Sequence, residues 1–134
     1  MQDSIFTKII KGEIPCHKIY ENDKVFAFLD IHPITPGHML VVPKAQVEFV
    51  WDLSDEDYHS LVDAARYLAR HLRKTLGVPY VGQQIIGVDV PHAHIHLIPF
   101  STMEEYRHRP DMAAEPDHTI LSVMRDRLIA THLK

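Results

Sequence analysis

The chain has 134 residues, with 14 basic against 18 acidic side chains and a formal charge of −4 when histidine is neutral. With 46% apolar and 24% charged residues it reads as one folded domain spanning 1–134, not a disordered chain. Neither a basic patch nor a long charge run is present, which argues against a nucleic-acid partner.

In chain order, residues 4–11 read as a short helix, capped by Ser4 and ended at Gly12, with Ile5, Phe6, Ile9 and Ile10 on one face. Strands are expected over 17–20 and 24–29, joined at Asn22-Asp23, and over 38–42, stopped by Pro43. Residues 31–37 are turn-rich. Apolar positions Tyr58, Leu61, Val62, Ala65, Leu68, Ala69, Leu72 and Leu76 predict a long helix over 55–76, opened by Ser54 and closed by Gly77 and Pro79. Two more strands are expected over 80–86 and 92–99, then an irregular loop over 101–116 and a helix over about 117–133. These elements make an α+β domain with a five-stranded antiparallel sheet.

A single cysteine, Cys16, excludes an internal disulfide framework and a Cys-based zinc knuckle, and suits a reducing compartment. The start Met1-Gln2-Asp3-Ser4 lacks the pattern of a signal peptide, and no apolar run nears the roughly 18 residues of a membrane span. A cytoplasmic protein with no membrane partner is expected.

Histidine supplies 11 residues, and three of them alternate with apolar ones in Pro91-His92-Ala93-His94-Ile95-His96-Leu97-Ile98-Pro99. On a strand, residues two apart share a face, so His92, His94 and His96 project together, roughly 6–7 Å apart, while Ala93, Ile95 and Leu97 face a core. Such a row suits a metal site, with His38 or Asp89 as a third ligand. It equally suits a neutral imidazole attacking phosphorus, with neighbouring histidines binding phosphate and moving protons. The plain alternative is a histidine-rich solvated face.

The run His92-Ala-His94-Ile-His96-Leu97-Ile98 resembles the signature of the histidine triad (HIT) superfamily. Residues 5–15, 28–33 and 35–44 resemble its other blocks, in the same order, so the likeness covers 4–100 and leaves 101–134 as an extension. It is closest to the nucleotide-binding and hydrolase branch. The resemblance implies a HIT-like fold and a homodimer. It implies attack on an α-phosphorus by His94 through a nucleotidyl-histidine intermediate, the nucleotide substrate being a purine nucleoside phosphoramidate, adenylate or dinucleoside polyphosphate. His92 matches the histidine that orients the nucleophile, His96 the one at the phosphate and leaving group, and His38 the fourth, supporting histidine. Asp30 matches the ribose-binding acid, and Ile5, Phe6, Ile9, Phe28, Ile31 and Leu40 the base pocket. For Phe28, Ile9 and Leu40 a plain core role, and for Asp30 a turn cap before Pro33, are the competing readings.

The segment before the triad departs from the family. Gly87 is kept, but counting back places Val81 at the expected asparagine, Val88 at a glutamine and Asp89 at a serine or threonine that contacts phosphate. A carboxylate there repels phosphate, and strand alternation aims only one of Gln83 and Gln84 at the site. Ser4, Thr7 and Gln46 stand where some members hold structural-zinc ligands, so neither a metal nor a cofactor is expected. Three functions compete: a nucleotidyl hydrolase or phosphoramidase, a metal-dependent enzyme using the same histidines, and a nucleotide-binding module with little catalysis.

Overall fold

The computed structural model describes residues 2–130. Its strands are β1 (Lys18–Glu21), β2 (Val25–Leu29), β3 (Met39–Pro43), β4 (Tyr80–Gln84) and β5 (Ile95–Phe100). They form one sheet in the order β1-β2-β3-β5-β4, antiparallel throughout. The helices are α1 (Ile5–Ile10), α2 (Asp55–Leu76), α3 (Met103–Tyr106) and α4 (His118–Ala130). The α+β class and the five-stranded antiparallel sheet are as the sequence led one to expect.

Local chemistry sets the boundaries. Ser4 Oγ accepts from Thr7 N at the start of α1, and Ser54 Oγ accepts from Asp57 N at the start of α2. Gly77 ends α2 in the left-handed conformation, at φ 66°, where a Cβ is costly. Asn22 Oδ1 accepts from the backbone of both Lys24 and Val25, which closes the β1–β2 hairpin.

The two faces of the sheet are covered differently. One carries Val25, Ala27, Leu29, Met39, Val41, Ile95 and Leu97 against Leu61, Leu68 and Leu72 of α2 and Leu121 and Leu128 of α4. The other carries Phe26, Phe28, Leu40 and Val42 against Phe6 of α1. Because β2 and β3 are covered on both faces, their sequences run continuously apolar instead of alternating. Cys16 is half-buried beside the smaller cluster, and burial pushes its thiol up.

Three expectations need correction. The last strand begins at Ile95, not at residue 92. Its ladder with β3 starts at Val41↔Ile95, and further on Pro43 offers no N–H. The backbone ahead of Ile95 turns away, so that Ala93 N donates to Val47 O at 2.7 Å. Strand β4 likewise stops at Gln84. The segment 101–116 holds the short helix α3, capped by Thr102 Oγ1 accepting from Glu105 N. Helix α4 is described to Ala130, and positions 131–133 of the expected helix lie outside the described residues. Among the described residues no helix is long and apolar enough to cross a membrane.

Candidate functional site

The four histidines gather where β3 and β5 begin, on the face opposite α2. His96 pairs with Leu40 across β3–β5 and with Gln84 across β4–β5, so these side chains share one face. Ring centroids lie 5.2 Å apart between His94 and His96 and again between His96 and His38. Phe6 meets His92 and His94 edge-on at 5.8 and 5.1 Å. The opposite side chains, Ala93, Ile95 and Leu97, enter the large core as the alternation requires.

Backbone groups with only one hydrogen-bonding role fix each tautomer. A carbonyl only accepts, so His92 donates its Nε2–H to Pro43 O at 2.8 Å. Neutral His92 then has a lone pair on Nδ1, to which Ser4 donates its hydroxyl at 2.7 Å. Burial, despite the Pro43 contact, lowers the affinity of His92 for a second proton. His94 donates Nδ1–H to the carbonyl of His92 at 2.7 Å, so Nε2 is the nitrogen on which a lone pair can lie.

A second relay starts from a donor. Ile34 N–H donates to His38 Nδ1 at 3.0 Å, so neutral His38 carries its proton on Nε2. That proton is donated to His96 Nδ1 at 3.0 Å, so neutral His96 keeps its own on Nε2. Burial, reinforced by His96, pushes His38 down to about 3. Burial and His94 push His96 down to about 4, while Asp89 works the other way. Both are therefore neutral near pH 7. The 3.6 Å approach of His38 Nε2 to Asp30 Oδ2 is accordingly no ion pair. Asp30 is itself raised by burial, opposed by the His32 N–H that donates to its Oδ1 at 2.8 Å. It thus caps the turn while facing the relay. Asp30, His38 and His96 offer ligand atoms within 4.8 Å of one another, the set best placed among the described residues to hold a metal.

The apolar candidates divide. Phe6, Phe28 and Leu40 are buried in one cluster, with Ile9 packed at its edge. Ile5 and Ile31 are exposed and stand outside that cluster. Gly87 adopts φ 78° in the loop before the triad, and Asp89 is exposed there but close enough for its charge to act on His96.

Counting back from the triad misplaces Val81: it pairs with Pro99 and packs against the α2 core, away from the histidines. Gln84 is the glutamine that faces His96, and its Nε2 donates to Tyr106 Oη at 2.7 Å. Tyr106 lies in a segment with no recognisable pattern, so only the fold brings it here. The places of the family's zinc ligands do not fit that ion. Gln46 Oε1 accepts from Ser4 N at 2.8 Å and from Thr7 Oγ1 at 2.6 Å, and Ser4 turns to His92. Hydroxyls and a neutral amide bonded to one another are not a zinc donor set. They are a hydrogen-bonded knot that holds the first histidine.

Known proteins are similar to this chain in both sequence and fold. The HIT domain model matches residues 11–103. Protein hit of Bacillus subtilis is 39% identical over 103 residues, covering 73% of this chain and 71% of that protein. Adenosine 5'-monophosphoramidase HNT1 of Saccharomyces cerevisiae is 40% identical over 96 residues, covering 71% of this chain and 61% of that protein. The crystal structure of a Hit-like protein involved in cell-cycle regulation from Bartonella henselae superposes with a TM-score of 0.79 at 29% identity. It covers 96% of this chain and 95% of its own. With the matched domain extending over most of the sequence, the chain belongs to the HIT family.

Proposed function

We propose that the protein is a nucleotidyl hydrolase, a nucleoside phosphoramidase in particular, working through a covalent intermediate on His94. The observation that carries this reading is the pairing of opposite tautomers: a lone pair on His94 Nε2 beside a proton on His96 Nε2. His94 Nε2 attacks the α-phosphorus, an N–P bond forms, and the bond to the leaving amine breaks; His96 Nε2–H hydrogen-bonds the departing nitrogen, and the proton that nitrogen gains comes from solvent, since neutral His96 has none to spare. Water then attacks phosphorus and the N–P bond breaks, which releases the nucleoside monophosphate and free His94, with the water's proton passing to solvent. His92 is a positioning residue, because its carbonyl holds the His94 ring. His38 acts likewise by holding the proton of His96 on the outer nitrogen.

The cluster of Phe6, Phe28 and Leu40, with Ile9, suits the base, and Ile5 and Ile31 its outer rim. Asp30 Oδ2 suits a ribose hydroxyl, while Gly87 and Asp89 border the phosphate. The phosphoramidase activity named for the yeast relative supports adenosine phosphoramidate as the probe. In this reading the protein is one cytoplasmic domain that works as a homodimer, a state favoured by the place of β4 at the end of the sheet, with no further strand beyond it among the described residues.

Intact-protein mass spectrometry after brief exposure to adenosine phosphoramidate, without acid quench, tests the reading. An adduct of one nucleoside monophosphate, absent in His94→Ala, is the expected result. A second reading, nucleotide binding with little catalysis, is favoured by the Asp89 carboxylate beside His96. Nucleotide binding with neither adduct nor released monophosphate would select it instead.

A further inference from the structure

The segment after the triad is built onto the same face as the histidines. Tyr106 lies over Gly82, where a Cβ would meet its Cε1 at 2.5 Å, so only glycine admits the ring. Phe100 backs it at 4.8 Å, and Tyr80 continues the row, stacked on Phe100 at 5.3 Å. Gly82 pairs with Ile98 and Gln84 with His96, so this aromatic wall flanks the histidines on the side away from α1. Tyr106 Oη already accepts from Gln84, which leaves its O–H free to donate.

If the nucleoside occupies the apolar cluster under α1, its leaving group emerges past His96, toward β4 and Tyr106. We infer that Tyr106 is a specificity-determining residue that favours substrates whose leaving amine carries an aromatic ring. This rests on the covalent phosphoramidase reading above. The chemistry follows from the wall: a ring gains an edge-to-face or offset-stacked contact with Tyr106 that a saturated group of equal size lacks. Ammonia is too small to reach it.

Two adenosine phosphoramidates test this, one made with phenethylamine and one with cyclohexylethylamine. They share the nucleotide, and their amines are similar in basicity, so losses in shared steps cancel in the ratio of their kcat/KM values. The wild-type protein should prefer the phenethyl compound about fivefold. Tyr106→Ala should bring the ratio to about one, and so should Gly82→Ala, which displaces the ring from its other side. Tyr106→Phe, with the ring kept, should retain the preference, and circular dichroism checks that each variant folds. Cleavage of both compounds without preference, or a preference that survives Tyr106→Ala, overturns the inference and leaves the covalent reading standing. Failure to cleave either compound, with no adduct on His94, overturns both.

Discussion

The two faces of the sheet are buried to different ends. Beneath α2 and α4 the buried side chains are almost all aliphatic, and burial there adds stability in proportion to apolar area. Beneath α1 a smaller aromatic cluster adjoins four histidines, three of which burial pushes below their ordinary range. On that face, burial keeps imidazoles neutral and backbone groups dictate which nitrogen holds the proton. Conservative packing changes should therefore cost stability on the first face and activity on the second.

The largest contrast comes from crossing His94→Ala with Leu68→Ala. Loss of the proposed nucleophile should lower kcat/KM by about 10⁴-fold or more with a melting temperature close to that of the parent. Leu68, fully buried in the α2 core, should cost about 2–5 kcal/mol of unfolding free energy as alanine and leave kcat nearly unchanged. Denaturant melts and steady-state kinetics on both variants decide it; equal stability losses would erase the distinction between the faces.

Ser4→Ala probes the joint between packing and chemistry. It removes the 2.7 Å donor to the buried Nδ1 of His92, leaving only the Thr7 hydroxyl at 3.4 Å, and should cost about 1–3 kcal/mol in stability. It should also lower kcat more than it raises KM, because it loosens the carbonyl that orients His94. Ser4→Thr keeps the hydroxyl and should restore most of both, measured by the same assays.

Stability should depend on pH with a definite sign. The unfolded chain protonates these histidines near 6.5, whereas the fold holds His38 at about 3 and His96 at about 4. Below pH 6.5 the unfolded state binds more protons, so stability falls with falling pH, by up to about 1.4 kcal/mol per unit for each group. For each histidine the loss levels off below its folded value. Asp30, raised by burial, contributes in the opposite sense. Urea melts between pH 7 and 5 should show this decline, and a His38→Gln variant should show a shallower one.

The smallest effect is expected at Asp89→Ser. Removing an exposed carboxylate beside His96 should tighten nucleoside monophosphate binding severalfold, more at low salt than at high. Titration calorimetry at two ionic strengths would show it; unchanged affinity at low salt would place Asp89 outside the phosphate's reach. The change counted by sequence as its companion, Val81→Asn, belongs to the other face. It should destabilise by about 1–3 kcal/mol by placing an amide against the core, without a gain in turnover.

Local patterns in the sequence determined a good deal. The 3–4 spacing of apolar residues marked α2 from Asp55 to Leu76 without error, and Ser54 and Gly77 marked its ends. The alternation through Ala93, Ile95 and Leu97 identified which side of the triad faces the core. Such signals are legible because they depend on one element's own periodicity and caps. Tertiary structure alone decided the rest. The start of β5 at Ile95 follows from where β3 stops donating, some fifty residues earlier in the chain. Whether Val81 or Gln84 faces His96 depends on strand register, and a shift of one residue would reverse the answer. The proton positions on the four rings depend on Pro43 O, His92 O and Ile34 N, backbone atoms whose roles are the same for nearly any side chain. A residue-by-residue reading finds the histidines, and only their neighbours in space say which nitrogen is free to react.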